Sequence, residues 1–136
     1  MSEGDAMSAL PPKRTKLNYI GAPKCFLLEM ACKPINEAFG EFGCYLVGSA
    51  LERPDWRDVD VRFIMEDPAF DALFPGTLKN KTWEFDARWL LLTASISAHL
   101  AAATGLPIDF QFQPQTHSNE RHKGTRYAIG LTFVKE

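Results

Sequence analysis

The sequence predicts an α/β (α+β) domain, in which a small mixed β-sheet of three to four strands is flanked by helices. Short apolar runs recur between residues 44 and 134 and alternate with segments of helical periodicity. The longest helical segment carries one continuous apolar face, which needs a packed partner to leave water. The expected order is therefore helix, strand, short helix, strand, helices, strand and strand.

The first half of the chain is expected to hold one helix and one buried strand. The helix should span residues 23–42, with Pro34 as a kink or break. Residues 44–47, "CYLV", predict a strand closed by Gly48. The stretch "SALE" that follows matches a capping box, so a helical turn should begin at Ser49.

The second strand, residues 58–65, carries an unusual charge pattern. Asp58, Asp60 and Arg62 share one face of this strand, and the other face is apolar. Aspartate is depleted in strands, so two on one face call for a functional reason. A short helix should follow, with Asp67 as its N-cap and Pro68 in its first turn.

The second half predicts a long helix and two more strands. Thr82 should cap the helix and Gly105 should end it, with an apolar face formed by Phe85, Trp89, Leu92, Ile96, Leu100 and Ala103. The third strand, residues 108–113, alternates so that Asp109 lies on the polar face with two glutamines. Residues 117–126 predict a polar loop and residues 127–134 a fourth strand.

Composition narrows the class of protein and its location. The formal net charge of −2 argues against a large non-specific nucleic-acid surface. Three cysteines without a CxxC pair predict reduced thiols in a cytoplasmic protein. Serine, threonine and histidine interrupt the longest apolar stretch, residues 89–106, so no membrane span is expected. Residues 1–17 should form a disordered tail and residues 18–136 a single domain.

Three carboxylates converge if the second and third strands pair. Asp58, Asp60 and Asp109 would then repel one another, and a hard divalent cation such as Mg²⁺ would remove the conflict. The Gly48-Ser49 turn ends the neighbouring strand, where a glycine and free helix N–H groups suit a phosphate. This layout is the one that phosphoryl or nucleotidyl transfer needs.

The stretch "LVGSALERPDWRDVDVRF", followed later by "PIDFQF", resembles the polymerase-β-type nucleotidyltransferase superfamily. The resemblance implies that Asp58, Asp60 and Asp109 bind two Mg²⁺ ions and that Asp109 helps to activate the attacking hydroxyl. It also implies that Gly48 and Ser49 hold the triphosphate of an NTP substrate. The expected activity moves a nucleoside monophosphate to a hydroxyl of RNA, protein or a small molecule, in a homo-oligomer or with a partner subunit.

Several alternatives stay open at the level of sequence. Ser49 could serve only as an N-cap. Arg53 and Arg57 could bind phosphates or belong to a solvated loop. The basic residues between 117 and 126 could likewise bind the phosphates of a triphosphate or of RNA, or form a solvated loop. The alternative function is a catalytically silent nucleotide- or partner-binding module of the same fold, similar to antitoxins. A purely structural protein would show no dependence on metal.

Overall fold

A computed structural model describes residues 18–130 of the chain. The predicted N-terminal tail and the end of the predicted fourth strand lie outside these residues. Ten elements follow one another: α1 (Lys24–Phe39), β1 (Gly43–Val47), α2 (Ser49–Glu52), β2 (Val59–Met65), α3 (Asp67–Leu73), a 3₁₀ helix (Trp83–Phe85), α4 (Ala87–Thr104), β3 (Ile108–Pro114), α5 (Gln115–Arg121) and β4 (Tyr127–Ile129).

The strands form one mixed sheet in the order β3-β2-β1-β4. β1 pairs antiparallel with β2 and with β4, and β2 pairs parallel with β3. The parallel connection from β2 to β3 passes through α3 and α4, as a parallel pair requires a long crossover. The predicted α+β architecture, a small mixed sheet flanked by helices, is thus confirmed.

One face of the sheet packs against helices and forms the core. Phe63 of β2 and Phe112 of β3 are fully buried, and both make edge-to-face contacts with Phe39 of α1. The side chains alternate along β2 and β3, so burial of this face directs the polar residues of both strands to the opposite face. The core therefore determines where the candidate site lies.

β3 lies at an edge of the sheet, and α4 covers its free backbone groups. The Ser97 hydroxyl accepts a hydrogen bond from the Phe110 N–H at 3.0 Å and donates to the Phe110 carbonyl at 3.4 Å. The Trp89 indole donates to the Phe112 carbonyl at 3.0 Å. These bonds satisfy an edge that would otherwise be open to pairing with another chain.

The two long helices differ from the expectation at their ends. α1 runs through Pro34 as one helix, so the expected break there is wrong. α4 begins only at Ala87, and the Asp86 carboxylate caps it by accepting from the Trp89 N–H at 3.1 Å. The predicted cap at Thr82 is wrong because a 3₁₀ turn intervenes, which leaves Phe85 84% exposed.

The predicted polar loop at residues 117–126 begins as a helix, α5. The Ser118 hydroxyl donates to the Gln113 side chain at 2.7 Å, and Thr116 donates to the Asp67 carboxylate through both its N–H and its hydroxyl. The Asp67 carboxylate therefore anchors the first turn of α5 through Thr116. Asp67 is not the N-cap of α3 as expected, because Glu66 occupies that position. These bonds place α5 beside the polar face of the sheet.

Candidate active site

The parallel pairing of β2 and β3 sets two of the three predicted carboxylates opposite each other. Asp60 of β2 and Asp109 of β3 are register partners, and both side chains lie on the polar face. Asp58 precedes β2 and is exposed. Paired positions on neighbouring strands bring side chains into direct interaction, so Asp60 and Asp109 form the centre of the candidate site.

Gly48 is placed against Asp60 by the pairing of β1 with β2. Val47, the last residue of β1, is the register partner of Asp60. Gly48 has φ +80° and ψ −157°, a conformation that is essentially restricted to glycine. A Cβ added at Gly48 would overlap the Asp60 carboxylate oxygen Oδ2. The glycine is therefore needed for the backbone turn and for the close approach of Asp60.

Ser49 is the first residue of α2, and Gly48 occupies the N-cap position. Within residues 18–130, no side chain caps this helix by a hydrogen bond, so the capping-box interpretation of Ser49 is wrong. The role of Ser49 as a phosphate ligand stays a prediction.

Arg62 connects the two central carboxylates. Its Nη2 lies 3.3 Å from Asp109 Oδ2 and 3.9 Å from Asp60 Oδ1. Its Nη1 donates to the backbone carbonyls of Asp109 at 2.6 Å and Val61 at 3.1 Å. Arg62 is only 8% exposed. A nearly buried guanidinium therefore supplies the positive charge at this site.

The pKa of the Asp60 carboxyl is raised above its ordinary value. Burial is the main cause, and the neighbouring charges of Asp109 and Asp58 add to it, whereas Arg62 opposes the shift. The three predicted metal ligands are thus electrostatically coupled, although only Asp60 and Asp109 are register partners. Loss of solvation and mutual repulsion outweigh the effect of the arginine on Asp60.

The side chains of Asp60 and Asp109 are of the ligand type that Mg²⁺ prefers, because both offer carboxylate oxygens. Among the described residues, Arg62 competes with such an ion, since it already pairs with both central carboxylates. In the part of the chain that the structure describes, no group of three or more His, Cys, Asp or Glu side chains is arranged to hold a metal. Binding of Mg²⁺ by Asp60 and Asp109 stays a prediction, and it requires that Arg62 give up its two ion pairs.

A cleft of about 340 Å³ opens beside Asp60 on the polar face of the sheet, and the other predicted site residues Ser49, Asp58 and Asp109 are not among the residues that line it. Its lining combines strand residues with residues of α5 and the segment after it. The residues that line it are Val47, Gly48, Asp60, Arg62, Glu84, Gln111, Gln113, His117, Arg121 and His122. The volume is in the range of small-ligand sites, and the polar lining indicates a polar ligand.

The α5 side of the cleft is basic. The pKa of His122 is lowered to about 4, first by burial and then by the positive charges of Arg62, Arg126, Arg121 and His117. His122 is therefore neutral at pH 7. The three arginines among these neighbours are cationic at pH 7, so the surroundings of His122 have a positive potential, although Asp60 and Glu84 line the same cleft.

Two predicted phosphate ligands lie on the exposed loop between α2 and β2. Arg53 Nε pairs with Asp55 Oδ1 at 3.3 Å, and both side chains are largely exposed. Arg57 is exposed as well. Neither arginine is among the residues that line the cleft. Their assignment to nucleotide binding stays a prediction.

Arg62 and the basic residues between 117 and 126 were noted in the sequence, but they were not assigned to the site. The signal for Arg62 was present, since the strand alternation already placed it on the same face as Asp58 and Asp60. For His117 and His122 the sequence offered only a basic, polar segment. The contacts of α5 with Asp67 and Gln113 bring that segment to the cleft, and no local pattern reveals them.

Comparison of the chain with known protein families, with curated proteins and with solved structures finds no match. Among the helices within residues 18–130, none is long and apolar enough to cross a membrane.

Proposed function

We propose that this protein is a Mg²⁺-dependent nucleotidyltransferase, which moves a nucleoside monophosphate from an NTP to an acceptor hydroxyl and releases pyrophosphate. The observation that carries the proposal is the register of Asp60 opposite Asp109, with Gly48 packed against the Asp60 carboxylate. Two carboxylates beside a glycine turn at the start of a helix form the minimum that such chemistry requires.

Each residue has a defined role in this proposal. Asp60 and Asp109, with Asp58, would hold the predicted two Mg²⁺ ions. Bound there, the metal would stabilise charge on the attacking and leaving oxygens. Asp109 is half exposed and accepts the proton of the acceptor hydroxyl. The hydroxyl oxygen of the acceptor bonds to the α-phosphorus in the same step. The bond from the α-phosphorus to the bridging oxygen breaks, and pyrophosphate leaves. Gly48 and Ser49 contact the triphosphate through the backbone.

A second function, a catalytically silent nucleotide- or partner-binding module, is favoured by one specific observation. Arg62 pairs with both central carboxylates and is nearly buried, so the site already contains a positive charge. A permanent internal cation would replace the metal and leave a cleft that binds without turnover. The two functions differ in whether any NTP is consumed.

A radiolabel in the α-phosphate of the NTP separates these functions. With Mg²⁺ and a cell extract as the source of acceptor, the enzyme should transfer label to a product. Asp109→Asn should suppress transfer by about 100-fold or more, because it removes a metal ligand and the proton acceptor. Nucleotide affinity should change much less. Asp71→Asn, an exposed aspartate of α3, serves as the matched control and should transfer label like the parent.

The outcomes assign the function without overlap. Measurable NTP affinity with no labelled product supports the silent module. Label transfer that survives Asp109→Asn undiminished refutes the role of Asp109 and the proposed site with it.

A cytoplasmic location, and the absence of a membrane partner, belong to the same proposal. Its support is that Cys25, Cys32 and Cys44 are all free thiols, as a reducing compartment would keep them. The acceptor, and the involvement of a second copy or a partner subunit, are part of the proposal that the label experiment addresses first.

A further inference from the structure

The α5 side of the cleft contains a group of hydrogen-bond donors that the proposed transfer does not use. Arg62, Arg121 and His122 line the same cleft from β2, from the end of α5 and from the residue after it. We name these three residues the basic wall. Asp60 lines the same cleft, and its carboxylate lies 3.9 Å from Arg62, so acidic and basic groups are neighbours at Arg62.

Two donors of the basic wall are buried without a hydrogen-bond partner among the described residues. These are Nε of Arg62 and Nε2 of His122. Arg62 is more than nine-tenths buried, and a polar atom that is buried and unpaired costs free energy. Buried polar atoms in native proteins are usually satisfied by protein, water or a ligand, and both residues line one cleft that a ligand can enter.

The charge around His122 selects the sign of the ligand. Arg62, Arg121 and Arg126 all lie close enough to lower the pKa of His122, and all three are cationic at pH 7. His117 is neutral at that pH, because burial and the charges of Arg121 and Lys81 lower its own pKa. Arg126 is held in place by its own bonds to the His122 carbonyl and the Asn119 side chain. Glu84 and Asp60 also line the cleft, and Arg62 pairs with Asp60 and Asp109 through Nη2, so the contact of an anion with Arg62 is confined to the unpaired Nε.

We propose that the basic wall is a binding subsite for a phosphate group, contacted by the guanidinium groups of Arg62 and Arg121 and by the His122 imidazole. The guanidinium fork of Arg121 matches the oxygens of a phosphate, the Nε of Arg62 offers one more N–H, and the neutral imidazole donates a third. The remaining volume of the cleft, beside the amides of Gln111 and Gln113, accommodates the rest of the molecule that carries this phosphate. The phosphate belongs either to the NTP or to an acceptor, and the chemistry of recognition is the same for both.

The subsite is tested by titrating inorganic phosphate into the full chain without Mg²⁺ or nucleotide, with calorimetry for affinity and the ¹⁵N imidazole spectrum of His122 for location. The expected result is saturable binding that shifts the His122 resonances. Arg121→Gln should weaken phosphate binding about tenfold or more, because it removes a charge-assisted hydrogen bond. Arg121 is exposed, so this variant should fold. The control Arg88→Gln changes an exposed arginine of α4 that does not line the cleft, and should bind as the parent does.

The source of the phosphate is then resolved by repeating the titration with protein saturated with NTP. Loss of phosphate binding assigns the subsite to the NTP, and unchanged binding assigns it to the acceptor; both support the subsite. Absence of saturable binding at millimolar phosphate, or equal weakening by Arg121→Gln and Arg88→Gln, overturns it. Because no turnover is measured, a failure of nucleotidyl transfer leaves this result unaffected.

Discussion

Replacing Gly48 with alanine should disturb the fold and the candidate site together. Gly48 has φ +80° and ψ −157°, which an L-residue rarely adopts. The new Cβ would also overlap Asp60 Oδ2, whereas the Cβ of Asp60 lies at an ordinary 3.5 Å. The substitution therefore has two costs, one from the backbone and one from the Asp60 carboxylate.

Each cost has a typical magnitude in free energy of unfolding. A non-glycine residue in this backbone region costs about 1–3 kcal/mol. Forcing the Asp60 side chain away from its preferred rotamer costs about 0.5–1.5 kcal/mol more. We expect Gly48→Ala to lower the free energy of unfolding by about 2–4 kcal/mol. A domain of this size should then lose roughly 10 °C in Tm.

A double-mutant cycle with Asp60→Ala separates the two costs. Urea unfolding of the parent, Gly48→Ala, Asp60→Ala and the double variant measures the free energy of unfolding of each. Alanine at position 60 removes the overlapping carboxylate, so the double variant should be about 1 kcal/mol more stable than the sum of the single effects. Strictly additive effects would show that Asp60 does not lie against Gly48, and the geometry of the site would be refuted.

Three further predictions concern single residues. Asp60→Asn should be at least as stable as the parent at pH 7, because the raised native pKa of Asp60 makes its ionised carboxylate unfavourable in the folded state. The advantage of the variant should shrink as the pH is lowered and Asp60 becomes protonated. Urea unfolding at several pH values measures this difference. Because the pKa of His122 is lowered, the unfolded chain binds a proton between pH 6.5 and about 4 that the native state does not bind. The free energy of unfolding should therefore decrease as the pH is lowered through that window. His122→Asn should reduce this loss in the same measurement. Ser97→Ala should cost about 1–2 kcal/mol and speed hydrogen exchange at the Phe110 amide, because that amide loses its partner; an unchanged exchange rate would contradict the bond.

The sheet and its polar face could be predicted because strand periodicity is a local property. The alternation of Asp109, Gln111 and Gln113 with buried phenylalanines was visible in the sequence and is what the structure shows. Likewise, Gly105 ends α4 in a left-handed conformation as expected. In each case, residues that are close in sequence determine the local structure.

The position of the basic residues beside the cleft could not be predicted, because a tertiary contact creates it. α5 has no apolar stripe, and the hydrogen bond of Thr116 to Asp67, 49 residues away, helps to hold it. The ion pair of Arg62 with Asp109 depends on the parallel register of β2 with β3, which the sequence pattern does not specify. The residue types of the carboxylate centre, and the position of Arg62 on the same strand face, were therefore predictable, whereas the ion pair of Arg62 with Asp109 was not.

The central claim is that Asp60 and Asp109 form a metal site beside the Gly48 turn. Crystals soaked with Mn²⁺ and a non-hydrolysable NTP test it most directly, because Mn²⁺ binds the oxygen ligands of Mg²⁺ sites and is located by its anomalous signal. The account predicts anomalous density at the two carboxylates, triphosphate density at Gly48 and Ser49, and an Arg62 that no longer pairs with both aspartates. Saturating Mn²⁺ and NTP that leave no anomalous density at Asp60 and Asp109, with both Arg62 ion pairs intact, would contradict it.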